Sequence, residues 1–462
     1  MENTIFRDPE IALRILKQEF GIEGELSPLP GELDANYKVT ASNGSYLLKL
    51  SKPNADVQVM NFECQMSAFL RSKKTLADTP VFLPNRQGHL LTTYQPGSGD
   101  EFVYARLLTW MEGRLWSGFP EYNVSLLQSL GRIAGNLMHS LQDFHHPAAN
   151  KKDFEWDIAK AAWTKKYQEL FQGEQKELIV YFYQGFENIL GELDPLRKSV
   201  IHNDLNDNNL ILGTSGDGNM EVTAVIDFGD STYTNSIIDL AVCLTYAMMD
   251  KRDPLEAGLH VVKTYHKQFP LLEAELEILY WLIGARLVIS LTKSRLNGLQ
   301  EPENTYHQVS AAQAWDLIKK WRCIDWEEAT AFFRSSCGYP THRNYECFTE
   351  FLKDQKWSLE DLLPEAGTRE LRLLDLDISS PEIHDLQIFR KEGKLRSKIQ
   401  EFWDEGGEPI IAAGYGQVRP DYITNSFLKK TNKGNYWECL LLGTEFWSFQ
   451  KKEVKALLSG RI

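Results

Sequence analysis

The sequence has no long uninterrupted apolar run. The longest candidate, Ile278 to Leu291, is short for a bilayer span and contains Arg286, so it reads as a buried helix. Residues 1 to 30 hold no apolar stretch of the length a secretory leader needs. The expectation is a cytoplasmic protein with no membrane partner. Positive charge is also short: 50 Lys and Arg against 64 Asp and Glu leave a net charge of −14. That argues against a nucleic-acid partner, which needs a basic face to neutralise phosphates. It is compatible with a small cationic substrate. Cysteine is sparse and unpatterned. Cys64, Cys243, Cys323, Cys337, Cys347 and Cys439 form no C-x-x-C pair and no regular spacing. Reduced, structural thiols are expected rather than a disulfide framework or a zinc ribbon.

What is present is an ordinary globular balance, 43% hydrophobic and 25% charged, over 462 residues. This is enough for two or three domains. The most informative stretch runs from Val200 to Asp230. It opens VIHNDLNDNNLIL and closes AVIDFGD. Short apolar runs (Val200–Ile201, Leu210–Leu212, Val225–Ile226) read as buried strands around a polar loop. Asp204 and Asn209 lie in that loop, and Asp227 follows just before Phe228-Gly229. Phosphoryl transfer accounts for this set. It needs a carboxylate to orient the attacking hydroxyl and take its proton, here Asp204. It also needs oxygen ligands for Mg²⁺, here Asn209 and Asp227, with phosphates and water completing the shell. The alternative is that these Asp and Asn residues merely cap turns. Two such elements in order, each between buried strands, weigh against it.

The order H-x-D-x-x-x-x-N followed by D-F-G is shared with protein kinases. Here Asn203 stands where they have Arg, and no A-P-E segment follows. VIHNDLNDNN with VIDFGD resembles the aminoglycoside phosphotransferase and choline kinase group. That group more often has Gly at the position of Asn203. The resemblance implies a two-lobed kinase-like fold with ATP or GTP as donor and His202 and Asp239 in supporting roles.

Toward the N-terminus, apolar spacing predicts a helix ending at Gly21, then strands from Leu26 to Leu50 with a hairpin at Ser42-Asn43-Gly44. Lys49 sits inside the returning strand, unfavourable unless its charge is paired. As in kinases, it is expected to reach the nucleotide's α- and β-phosphates with Glu63, in a helix from Val57 to Leu70, as its partner. The alternative is an exposed edge-strand lysine. No glycine-rich loop precedes Lys49, and Asp34-Ala35-Asn36 fills that place, with Asn36 as the nucleotide-side residue. After a buried strand from Val103 to Trp110, the residues Trp110, Met111 and Glu112 stand where a kinase linker would hydrogen-bond the base through its backbone. Gly97 to Asp100 reads as an ordinary turn.

Val124 to Phe144 and Ile158 to Leu193 read as helical. His145-His146 invites a metal reading, but a helix-end role fits better, because adjacent residues there point apart. Asp239 opens an apolar helix, where the helix dipole favours a carboxylate. Asp207 and Asp230 are the candidates for holding a substrate ammonium.

The kinase-like unit is expected as an N-lobe over 1–110 and a C-lobe over 111–335. An accessory, mostly β module then covers 336–462, with a helix from Glu382 to Glu392 and a Gly- and Glu-rich loop at Glu405–Glu408. Leu440–Trp447 and Glu453–Ile462 resemble the opening of a lysostaphin-type peptidase. Leu441 stands where that family has His, and Glu445 where it has Asp, so no catalytic zinc is expected. LQDFHHP, HNDLNDNNLIL and VIDFGDSTY together resemble the hydroxylysine kinases, which use GTP. Related kinase units occur fused to such a peptidase module and to a class III aminotransferase-type phospholyase, which would then be a partner. The expected fold is α+β: a small β-rich lobe, a helical lobe and the accessory module. The expected function is a small-molecule kinase acting on an amino alcohol or hydroxy amino acid, first of all 5-hydroxy-L-lysine. The alternatives are an aminoglycoside, choline, ethanolamine or homoserine phosphotransferase, and a nucleotide-binding pseudokinase scaffold.

Overall fold

Alternation along the first strands sets up the small lobe. Tyr37, Val39, Leu48, Leu50, Val103, Ala105 and Leu107 are all buried and form one core with Phe6, Ile11, Ile15 and Leu16 of the N-terminal segment. Side chains at the intervening positions point to the other face of the sheet. The structure, a computed structural model, describes residues 5–354 apart from 32, 74, 97–101, 120–122, 217 and 301–304. Beyond these it describes 361, 363, 370–374, 394–404, 410–413, 428–431, 434–437 and 445–447. The expected turn at Gly97–Asp100 therefore lies outside the described residues.

The N-terminal helix α1 (Pro9–Ile15) continues through a wider turn to Phe20. Gly21 closes it in a left-handed conformation, φ 71°. The sheet is antiparallel: β1 (Gly24–Leu29), β2 (Ala35–Ala41), β3 (Gly44–Ser51), then β6 (Val103–Thr109), with the short strands β4 (Phe82–Leu83) and β5 (Thr92–Tyr94) both paired to β6. The hairpin between β2 and β3 pairs Ala41 with Gly44, as the turn signal predicts. Helix α2 (Val57–Lys73) follows β3.

After β6 the chain crosses through β7 (Arg114–Leu115), which pairs with β9 (Leu210–Thr214) of the second lobe. Gly113 is required at this crossing. Its φ is 135°, and a Cβ there would sit 2.4 Å from Ile211 Cγ2 and 2.6 Å from the Leu212 carbonyl. The helical lobe packs α3 (Val124–Leu141), α4 (Gly173–Leu193), α5 (Ile237–Met248), α6 (Pro254–Gln268), α7 (Glu273–Gln300), α8 (Thr305–Arg322) and α9 (Trp326–Ser336) around one apolar core. The expected continuous helix over 158–193 is two elements, a 3₁₀ segment Ile158–Leu170 and α4, broken at Gly173 with φ 52°. His146 caps the short turn Pro147–Ala149 by accepting the Ala148 N–H at 3.1 Å.

The chain divides into two compact units, Met1–Tyr345 and Glu346–Ile462. Residue 335 lies inside α9, beside Arg334, which is buried and ion-paired with Glu273 and Glu277 of α7. That tie keeps the helix in the first unit. In the second unit, Leu371–Leu374 pairs parallel with Ile410–Ala413, which pairs antiparallel with Glu445–Trp447. Leu428–Thr431 pairs antiparallel with Gly434–Trp437, and Lys394–Asp404 is a helix. The expected helix at 382–392, the loop at 405–408, Leu441 and residues 453–462 lie outside the described residues.

Candidate active site

Two strand pairs bring the catalytic loop and the D-F-G turn together. Strand β8 (Lys198–Ile201) pairs antiparallel with β11 (Thr232–Asn235), placing Ile201 opposite Thr232. Between them, β9 and β10 (Met220–Val225) form a hairpin with Leu210 opposite Val225. Loop 202–209 and turn 226–231 are therefore neighbours, and the Ile226 N–H donates to the Asn209 carbonyl at 2.9 Å.

Within the loop, Asn203 has φ 66°, left-handed backbone that Gly and Asn tolerate best. Its N–H donates to Asp239 Oδ1 at 2.7 Å. Asp239 is buried at the first turn of α5, and burial pushes its carboxyl up to about 6. His202 is also buried. Its Nε2 lies 3.0 Å from the Ile226 carbonyl, and its Nδ1 lies 3.3 Å from the Asp204 N–H. Burial lowers its pKa. A neutral ring that donates through Nε2 and accepts at Nδ1 satisfies both contacts. Both residues thus brace the loop.

Asp204 stands at the centre. Its Oδ2 accepts from Asn209 Nδ2 at 2.7 Å and from Asn206 Nδ2 at 3.0 Å. Its Oδ1 accepts from Arg286 Nη2 at 3.2 Å. Burial raises its pKa, and Arg286 is the strongest influence in the other direction. Asn209 Nδ2 also donates to the Asp204 carbonyl at 2.9 Å. Its nitrogen is thus committed to Asp204 and its amide oxygen is left for another partner. Asp227 follows in left-handed backbone, φ 60°, with its side chain 58% exposed. Two oxygen donors of this kind suit a hard divalent cation that keeps phosphate and water ligands.

On the sheet side, Asn36, Lys49 and Arg106 lie in one row across β2, β3 and β6, because the register pairs Asn36 with Lys49 and Lys49 with Arg106. The expected Lys49–Glu63 pair is not what forms. Glu63 Oε2 accepts from Arg106 Nη1 at 2.5 Å, while Arg106 Nη2 donates to Asp34 Oδ2 at 2.6 Å. The forked guanidinium reaches both carboxylates at once, which a single ammonium cannot do. Lys49 is left 3.9 Å from both Asp34 Oδ2 and Asp227 Oδ1. Asn36 Nδ2 donates to the Pro30 carbonyl at 3.0 Å, holding the loop that precedes β2. Trp110, Met111 and Glu112 form the irregular linker after β6. The Trp110 N–H donates to the Ser45 carbonyl at 3.3 Å, and Lys38 lies over its ring.

The two ammonium candidates part company. Asp230 lies in the field of Asp204, Lys151, Arg286 and Asp227, and burial, followed by the Asp204 charge, pushes its carboxyl up to about 6. Asp207 faces a different set, Asp250 and Lys251, and burial raises its carboxyl as well. Lys151 donates to the Gly229 carbonyl at 2.7 Å, clamping the turn. Sequence reasoning did not assign Arg106, Arg286 or Lys151 to the site, and it placed Asp34 in the nucleotide loop without its pairing to Arg106. The first two carried a usable signal, a charge inside an apolar run.

The family model described as "Phosphotransferase enzyme family" (APH) matches residues 25–284. The chain belongs to this family and has its kinase-like fold: an antiparallel N-terminal sheet and a helical second lobe. It is therefore a kinase that acts on a hydroxyl acceptor. Similar proteins include hydroxylysine kinase of Mus musculus, 26% identical over 334 residues, covering 67% of this chain and 88% of that protein. Hydroxylysine kinase of Danio rerio is 28% identical over 301 residues, covering 63% and 84%. Among solved structures, an amicoumacin kinase in complex with AMP-PNP, Ca²⁺ and Ami superposes with a TM-score of 0.52 at 16% identity, covering 69% of this chain and 96% of that one. Among the described residues, no helix is long and apolar enough to cross a membrane.

Proposed function

We propose that this chain transfers the γ-phosphoryl group of ATP or GTP, with Mg²⁺, to the hydroxyl of a hydroxy amino acid or amino alcohol. The best acceptor is 5-hydroxy-L-lysine. The observation that carries this reading is the pair Asp204 and Asp230. One carboxylate lies at the centre of the loop, and a second sits in its field, its pKa raised to about 6 by burial and by the Asp204 charge. An acceptor ammonium beside Asp230 would pair with its carboxylate, and a charge-assisted hydrogen bond of this kind contributes about 1.5–3 kcal/mol. The similarity to hydroxylysine kinases over most of their length supports the same choice.

In this reading Asp204 takes the acceptor's hydroxyl proton as the oxygen–phosphorus bond forms and the bond to the nucleoside diphosphate breaks. Asn209 and Asp227 would hold Mg²⁺, which supplies charge neutralisation along the phosphates when bound. Lys49 pairs with the α- and β-phosphates. Glu63 acts through Arg106, and Asn36 fixes the loop over the nucleotide. The backbone of Trp110 to Glu112 takes the base. Asp207 is left a peripheral role on the acceptor side. A phospholyase partner rests on the resemblance of the C-terminal stretch alone.

The test is kcat/KM for 5-hydroxylysine, ethanolamine, choline, homoserine, kanamycin and glycerol, with ATP and with GTP. Hydroxylysine should lead and neutral glycerol should be poor. Kanamycin ahead by a wide margin would make this an antibiotic phosphotransferase. Glycerol equal to the amines would remove the ammonium site.

A further inference from the structure

Arg286 is a buried guanidinium in the middle of the apolar stretch Ile278–Leu291 of α7. Its side chain is 2% exposed, and its neighbours in α7 (Ile283, Ala285, Leu287, Ile289) are all buried. Placing a cation there is unfavourable unless its partners are specific. The partners converge on one spot. Nη1 donates to the Trp156 carbonyl at 3.2 Å, while Nη2 donates to Asp204 Oδ1 at 3.2 Å and to the Tyr246 hydroxyl at 3.1 Å. The guanidinium also lies over the Trp156 ring, 4.7 Å from its centroid.

The two oxygens of Asp204 are not equivalent. Oδ2 receives two amide donors, from Asn206 and Asn209, and so has both lone pairs engaged. Oδ1 receives Arg286 alone and keeps one lone pair. We propose that Arg286 is a positioning residue that fixes the Asp204 carboxylate so that Oδ1 faces the acceptor hydroxyl. The helix supplies what the loop cannot. Asp204 directly follows the left-handed Asn203 on a connecting segment, whereas Arg286 is locked by packing on a long helix. Arg286 Nη2, the nitrogen that reaches Asp204, has both of its N–H groups committed, to Asp204 and to Tyr246, so at this contact it serves as a brace.

This inference rests on Asp204 being the base, and the experiment separates the two. Arg286→Met, Arg286→Lys and Arg286→Ala are made in the full chain beside Asp204→Ala. For each, kcat, acceptor KM and nucleotide Kd are measured. Arg286→Met should lower kcat by about 10²-fold, the scale of a misplaced reacting group, with nucleotide Kd and acceptor KM near wild type. Arg286→Lys, which keeps the charge but loses the fork, should recover part of the loss. Guanidinium ion added to Arg286→Ala should restore rate where urea of similar shape does not. Wild-type kcat in Arg286→Met overturns the proposal, as does equal rescue by urea, which would mark a packing role only. If Arg286→Ala and Arg286→Met fail to fold, Arg286→Lys carries the test through the same split between kcat and KM. If Asp204→Ala turns over like wild type, the base assignment itself fails, whatever the Arg286 variants do.

Discussion

Lys49 and Arg106 stand directly opposite one another on β3 and β6, yet they have divided the expected roles of one lysine between them. Arg106 holds Glu63 and Asp34, and Lys49 faces Asp227. The two cations should therefore fail differently. Arg106→Met leaves the largely buried Glu63 without its ion pair and Asp34 with only Lys49 at 3.9 Å and the Ser51 hydroxyl, and breaking a buried pair from one side costs about 3–5 kcal/mol. Lys49→Met should barely change stability but should weaken nucleotide binding markedly. Denaturant midpoints and nucleotide titrations on both variants check this. Loss of stability in Lys49→Met with intact nucleotide binding would reverse the assignment.

Asn203 provides a backbone test. Its φ of 66° suits Gly as well as Asn. Asn203→Gly should keep turnover close to wild type. Asn203→Val should lose most of it, since a β-branched residue resists that conformation by roughly 1–2 kcal/mol or more. Equal activity of the two variants would mean that the loop conformation is unimportant.

Asp239 gives a pH signature. Its carboxyl is raised from 3.8 to about 6 by burial. The folded chain thus holds this proton more tightly than the unfolded chain. The associated stability is fully present below the unfolded pKa and is lost as pH rises through about 6. Asp239→Asn has no proton to lose. Its stability relative to wild type should climb by at most about 3 kcal/mol between acid and neutral pH, whatever its fixed offset. Unfolding midpoints across that range measure the slope. A flat difference would show that the fold does not raise the Asp239 carboxyl.

Much of the site was legible because its residues are close in sequence. Asp204, Asn209 and Asp227 lie on one strand–loop–hairpin unit whose apolar runs announce the strands. The partners of Lys49 were not legible. A charge in an apolar strand marks Lys49 as paired, and it marks Arg106 and Arg286 equally. Their carboxylates, however, come from positions 43, 72 and 82 residues away. Only the β3–β6 register and the packing of α7 bring them within reach. Asp207 and Asp230 looked alike in sequence for the same reason. Each is an Asp beside a motif, and tertiary packing alone puts Asp230 in the field of Asp204 and Asp207 in that of Asp250.

The proposed metal ligands should separate from the base. Asp227→Ala should lose the Mg²⁺ dependence of nucleotide affinity, and Asn209→Ala should lose it more mildly and also slacken Asp204. Nucleotide titrations with and without Mg²⁺ decide. Unchanged metal dependence in both variants would move the cation elsewhere.

The most direct test of the account is to identify the product made from a nucleotide and 5-hydroxy-L-lysine by the wild type and by Asp204→Ala in parallel. The wild type should give a single phosphate monoester on the side-chain hydroxyl. Asp204→Ala should lose ~10²–10⁴ in rate at nearly unchanged nucleotide affinity. Nucleotide consumption that ignores the acceptor, or a variant as fast as the wild type, would contradict these expectations.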